Sequence, residues 1–234
     1  PGIANHALVI PEGNTIDKTA EAVAAAYNGT ITADEFKAQA HNADQFKEEF
    51  PFVAGAYDNS LEGFLFPKTY EIVDGYTAQD VIKQMLTQFN TEVENLNYSY
   101  AEDHGLTPYQ ALILASVVER EAASDNQKEV ASVFYNRLGI DMPLQSDATT
   151  AYVVGGDPTP DDLKVDGPFN TYLNKGLPAG PICSPGLSCI EAVLDPAQTN
   201  YYYFVFYPND NGGMDYFFNE TYEGHQQAIA DHAN

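Results

Sequence analysis

The sequence predicts an α+β fold: a mainly helical core with small antiparallel sheets. Apolar residues recur at spacings of three and four between residues 77 and 96. The run Ala111 to Val118 is apolar all round, as a helix buried in a domain centre would be. Strand-like segments rich in Val, Tyr and Phe are short and far apart.

Taken in order, residues 6–10 (HALVI) read as a short strand, turned by Pro11, Glu12 and Gly13. Thr15 to Ala26 is Ala-rich and helical, ended by Asn28 and Gly29. Thr32 with Glu35 forms a capping box, and the helix it opens is expected to run towards Phe50 and stop before Pro51. Residues 1–50 thus read as a small, mostly helical N-terminal subdomain, and a different texture begins near Asn59. Thr69 to Val73 is strand-like. Thr77 to Leu96 is an amphipathic helix carrying Val81, Ile82, Met85, Leu86, Phe89 and Val93 on one face. Thr107, Pro108 and Gln110 supply an N-cap, a first-turn proline and the third box position for the apolar helix that runs out in Glu119, Arg120 and Glu121. Lys128 to Leu138 is a further helix. A long Gly/Pro/Asp/Asn-rich loop is expected from there to about Pro185. Glu191 to Leu194 reads as a short helix, Tyr201 to Tyr207 as a strand with Phe217 and Phe218 in its partner, and a last helix ends the chain.

The formal net charge is −24, with only ten Lys and Arg among 234 residues. So few cations exclude nucleic-acid binding and docking on an anionic membrane through a basic patch. No run is long and apolar enough to span a bilayer. The chain opens at Pro1 without an initiator Met or a leader, as a trimmed piece of a longer protein would. Cys183 and Cys189 share one Pro/Gly-rich loop and admit two readings, a local disulfide or two free thiols. The histidines, His6 among them, are scattered, and neither a His-Glu-x-x-His motif nor a phosphate-cradling glycine loop is present. No metal and no cofactor are expected.

Glu119 and Glu121 are the candidates for chemistry. Two residues apart on a helix, they point to nearly opposite sides and cannot share a proton. Glu121 has Val117 and Val118 beneath it, and an apolar wall raises a carboxyl pKa by disfavouring its charged form. A carboxyl kept protonated near neutral pH can protonate a leaving oxygen. The bland alternative is a helix end emerging into solvent.

Several runs together resemble one family: LEGFLFPKTY (61–70), LASVVERE (114–121), ASVFYNRL (131–138), MPLQSD (142–147), FNTY (169–172), GLPAGPI (176–182) and SPG (184–186). The chain is identified from these, in order and over about residues 7–228, as similar to the MltG-type (YceG-like) endolytic murein transglycosylases. The resemblance implies a LysM-like subdomain remnant at residues 1–50 followed by a YceG-like catalytic domain at 51–234. It implies Glu121 as the catalytic general acid/base, followed by the small Ala122, with Glu119 as the fallback. Tyr172 and Asn170 match a Tyr-Asn-Thr-Tyr run of the family, and Gln145 and Asp147 match polar positions of a cleft-lining loop. The first run offers Glu62 and Tyr70 as further supporting positions. Where the family usually has Asp, this chain has Lys68; where it has Pro, Ala148 and Ala179; where it often has Ser-Pro-Tyr-Asn, residues 167–170 read GPFN, which removes one tyrosine hydroxyl. The cysteine pair is also untypical.

The implied reaction cuts peptidoglycan glycan strands between MurNAc and GlcNAc and leaves a 1,6-anhydro end. The implied partners are those strands and peptidoglycan synthases. The implied place is extracytoplasmic, with the membrane reached only through an N-terminal anchor that this chain lacks. Two other readings compete: a muramidase-type hydrolase pairing Glu121 with Asp147, and a catalytically silent wall-binding scaffold.

Overall fold

The computed structural model describes residues 7–232, so residues 1–6, with His6 and the start of the expected first strand, lie outside it. β1 (Ala7–Val9) pairs antiparallel with β2 (Thr69–Glu71), Leu8 opposite Tyr70. Between them α1 (Ile16–Ala26), capped by Thr15, packs on α2 (Ala33–Ala40), whose Thr32–Glu35 capping box forms as expected. The expectation that α2 runs towards Phe50 is overturned. The helix ends at Ala40 because the Leu61 amide takes the Ala40 carbonyl at 2.8 Å, and the chain continues through 3-10 turns at Ala43–Phe46 and Pro51–Val53.

α3 (Ala78–Val93) opens on a second capping box, Thr77 with Asp80, and buries Val81, Ile82, Met85, Leu86 and Phe89. The short α4 (Ser99–Asp103) leads to α5 (Pro108–Glu121), whose Thr107–Gln110 box also forms. Every residue of α5 from Ala111 to Val118 is buried. Each large apolar side chain so buried contributes about 1.5–3 kcal/mol, which holds the helix at the molecule's centre. It packs there against α4, α6 (Gln127–Gly139), α7 (Asp147–Val154) and α8 (Leu187–Leu194).

α7 corrects the reading of residues 139–185 as continuous loop. The short helix at Glu191 to Leu194 likewise begins earlier, at Leu187. β3 (Tyr203–Pro208) and β4 (Met214–Asn219) form the expected antiparallel hairpin, with Val205 opposite Phe217, and α9 (Tyr222–His232) packs on it. The class is therefore mixed α+β, a helical core with two small antiparallel sheets among the described residues. One apolar cluster runs through it, from Leu8 and Ile16 by way of Met85 and Leu114 to Leu194.

A close approach fixes the loop before β2. Gly63 has φ +88°, and a Cβ there would stand 2.6 Å from Pro181. Only glycine fits, and the contact seats Glu62 beside the 181–183 segment.

Candidate active site

Three glutamates from the sequence analysis meet the starts of three different helices. Glu62 is 4% exposed, and its carboxylate oxygens accept the Ile16 amide at the head of α1, both at 3.2 Å, and the Tyr152 hydroxyl at 3.1 Å. Burial pushes its pKa up to about 7, against the pull of those donors. Glu119 is half-buried and accepts the Gly186 amide at 2.9 Å, at the N-cap of α8. Burial raises its pKa too. A helix N-terminus favours a carboxylate, so both side chains have a structural role in holding elements together.

Glu121 closes α5 and reaches the start of α7. The Ser146 hydroxyl donates to its Oε1, and the Ala148 amide faces the same carboxyl. Burial raises the Glu121 pKa; Ser146 and Ala148 pull it down, the Asp147 charge pushes it up, and Arg120 pulls it down. The two-residue spacing thus sends Glu119 to α8 and Glu121 to α7. The Glu121 carboxyl is as enclosed as that of Glu62, though the residue as a whole is only half-buried, and its neighbours Gln145 and Asp147 are exposed.

Tyr172 stands beside Asp147, donating its hydroxyl to Oδ1 at 2.7 Å. Gln145 has φ +52°, and its amide donates to the Thr171 carbonyl at 3.0 Å. Asn170 is placed differently. Its side-chain nitrogen donates to the carbonyls of Leu163 and Val165, and its oxygen accepts the amides of Tyr172 and Leu173. The amide is thus spent on shaping the loop that presents Tyr172. Tyr70 lies in β2, away from this group, with its hydroxyl on the Phe66 carbonyl at 2.5 Å. Phe169 packs its ring between Tyr57 and Tyr152.

Sequence reasoning missed several members of the site. Ser146 lay in the stretch read as loop, with nothing in the sequence to mark it. Arg137 lay inside the FYNRL run with nothing to mark it as buried. It is 7% exposed, and its guanidinium donates to the carbonyls of Tyr202, Pro143 and Leu144, which anchors the segment leading to Ser146. Tyr216 of β4 donates to the Glu121 carbonyl oxygen at 2.7 Å and ties the hairpin to the end of α5.

Cys183 and Cys189 are both free thiols and buried. Cys183 donates to the Ser116 carbonyl, and Cys189 lies against Glu119. Burial raises both thiol pKa values, the opposite of what a nucleophilic thiolate needs. Among the described residues no His, Cys, Asp and Glu cluster could hold a metal ion, and no helix is long and apolar enough to cross a membrane. Concavities of about 530 Å³ beside β2 and α3 and about 600 Å³ beside the hairpin and α9 do not contain Glu121.

Residues 2–231 match the model of the YceG-like family. The chain is 33% identical over 249 aligned positions to an endolytic murein transglycosylase of Streptococcus pneumoniae R6, covering 97% of this chain and 44% of that protein. To an endolytic murein transglycosylase of Bacillus subtilis 168 it is 39% identical over 196 positions, covering 79% and 53%. The chain thus spans about half the length of these relatives. A solved yceG-like protein from Listeria monocytogenes superposes with a TM-score of 0.81 at 32% identity, over 97% of this chain and 76% of that one.

Proposed function

The chain belongs to the YceG-like family, and from that premise we propose that it is an endolytic lytic transglycosylase of peptidoglycan with Glu121 as its general acid/base. The observation that carries the assignment is the contrast among the three glutamates. All three carboxyls are raised in pKa by burial and each faces a backbone amide at a helix start, but Glu121 alone of them stands beside the exposed polar side chains of Gln145 and Asp147 and takes the Ser146 hydroxyl.

In this reading Glu121 starts protonated, as burial favours. It gives its proton to the oxygen bridging MurNAc and GlcNAc, the C1–O bond breaks, and GlcNAc leaves with a free 4-hydroxyl. Positive charge develops on the MurNAc ring, which nearby dipoles and the Asp147 carboxylate stabilise. The Glu121 carboxylate then takes the proton of the C6 hydroxyl as O6 bonds to C1, closing the 1,6-anhydro ring. Glu121 returns to its starting state and no water is consumed, so no second carboxylate has to activate one. Tyr172 and Gln145 are the groups we place on the sugar; Asn170 acts through the loop it holds. No metal or cofactor enters.

We read residues 1–50 as a LysM-like remnant on the family resemblance alone; β2, which pairs with β1, lies past residue 50. We place the catalytic domain at 51–234, the whole protein outside the cytoplasm on a membrane anchor beyond this chain, and its work in wall assembly beside peptidoglycan synthases, all on the family resemblance.

Asp147 is a second carboxylate near Glu121, which is what a muramidase would need. Mass spectrometry of fragments from purified glycan strands decides between the two. Anhydro-MurNAc ends, one water lighter than hydrolysis products, are expected, and Glu121→Gln should lower turnover by roughly 10²–10⁴-fold. Reducing ends would make the protein a muramidase, and a fully active Glu121→Gln would remove Glu121 from the mechanism.

A further inference from the structure

Ser146 occupies the N-cap position of α7 with φ −92° and ψ 120°, the extended backbone from which a serine hydroxyl ordinarily bonds an amide of its own first turn. It makes no such bond. Its hydroxyl donates instead to Oε1 of Glu121, 25 positions earlier in the chain.

The surroundings hold Ser146 in that attitude. Its amide donates to Thr171 Oγ1 at 3.0 Å, its carbonyl accepts from Thr149 Oγ1 at 2.8 Å, and the two threonine hydroxyls are 2.9 Å apart. Ser146, Thr149 and Thr171 are all buried. The preceding Gln145 is held at φ +52°, a left-handed conformation that a non-glycine residue keeps only where its surroundings over-determine it. On the other side of Gln145, Arg137 grips the Leu144 carbonyl at 2.7 Å.

We propose that Ser146 is a positioning residue for Glu121, its hydroxyl engaging Oε1 and fixing the carboxyl plane so that the Oε2 edge gives and takes the proton in the reaction. The inference rests on the transglycosylase reading of Glu121. The bond persists through the cycle: the hydroxyl donates to the neutral acid and, more strongly, to the carboxylate left after proton transfer. It therefore opposes the effect of burial on Glu121. The other groups facing that carboxyl are Asp147 and the Ala148 amide from α7, Arg120 from α5, Arg137 from α6, Tyr172 from its loop and Tyr216 from β4.

The test is steady-state cleavage of purified glycan strands across pH by the wild type, Ser146→Ala, Ser146→Thr and Glu121→Gln. Ser146→Ala should lower kcat about tenfold, the size of one well-placed hydrogen bond, and leave KM within about twofold. It should also carry the basic limb of the kcat/KM profile to higher pH, because the carboxylate has lost a donor. Ser146→Thr should restore most of both. Wild-type kcat and pH limb in Ser146→Ala, or a change in KM alone, overturns the proposal. Should Ser146→Ala fail to fold, Thr171→Val loosens the Ser146 backbone and asks the same question, with the same expected fall in kcat and rescue by Thr171→Ser. An inactive Glu121→Gln beside an unaffected Ser146→Ala sinks this inference alone; an active Glu121→Gln sinks the reading beneath it.

Discussion

The Tyr172 hydroxyl donates to Oδ1 of Asp147 at 2.7 Å, joining two side chains 25 residues apart beside the Glu121 carboxyl. The Asp147 charge so held raises the Glu121 pKa. Asp147→Asn removes that charge, so the Glu121 pKa should fall. A general acid works protonated, and the basic limb of kcat/KM against pH should therefore move to lower pH, opposite to the shift expected for Ser146→Ala. A limb that stays in place would show that Asp147 does not act on Glu121 through its charge.

Glu62 should make stability depend on pH. Its folded pKa is raised to about 7 by burial, whereas an unfolded glutamate titrates near 4.3. Between these values the folded state holds a proton that the unfolded state has lost, so this contribution to stability falls as pH rises through the window. At about 1.4 kcal/mol per unit the loss is on the order of 3 kcal/mol. Glu62→Gln removes it while keeping an acceptor for the Ile16 amide. The melting temperature of the variant relative to wild type should rise by roughly 5–10 °C between pH 4.5 and 7.5. A difference that is flat with pH contradicts the assignment.

Arg137 binds carbonyls on either side of the site, Tyr202 at 2.6 Å and Leu144 at 2.7 Å, while its guanidinium lies 5.3 Å from the centre of the Tyr203 ring. A lysine carries a point charge without the planar fork and cannot span those acceptors. Arg137→Lys should cost about 2–3 kcal/mol in urea unfolding and lower kcat, because the segment leading to Ser146 loses its anchor. Unchanged unfolding and turnover together would reduce Arg137 to a bystander.

Helix starts were legible in the sequence because they depend on neighbours three residues away. Thr32 with Glu35 and Thr107 with Gln110 form their boxes as read. The raised pKa of the Glu121 carboxyl was legible as well, since the apolar run beneath it is local. The end of α2 was not, because what stops it is the amide of Leu61, 21 residues on. Nor was α7, whose Thr149, Thr150, Val153 and Val154 are β-branched and poor helix formers. Its partners come from elsewhere: the Glu121 carboxyl at its first turn and Glu62 on the Tyr152 hydroxyl.

The class of fold, the buried central helix and the carboxyl at its end follow from patterns within a few turns of chain, which is why they could be read from the residues alone. What each glutamate touches, in contrast, follows from packing alone. Glu62, Glu119 and Glu121 are alike in sequence as acids beside apolar runs. They differ in which distant amides and hydroxyls reach them, and that is set by packing between segments from 25 to 67 residues apart.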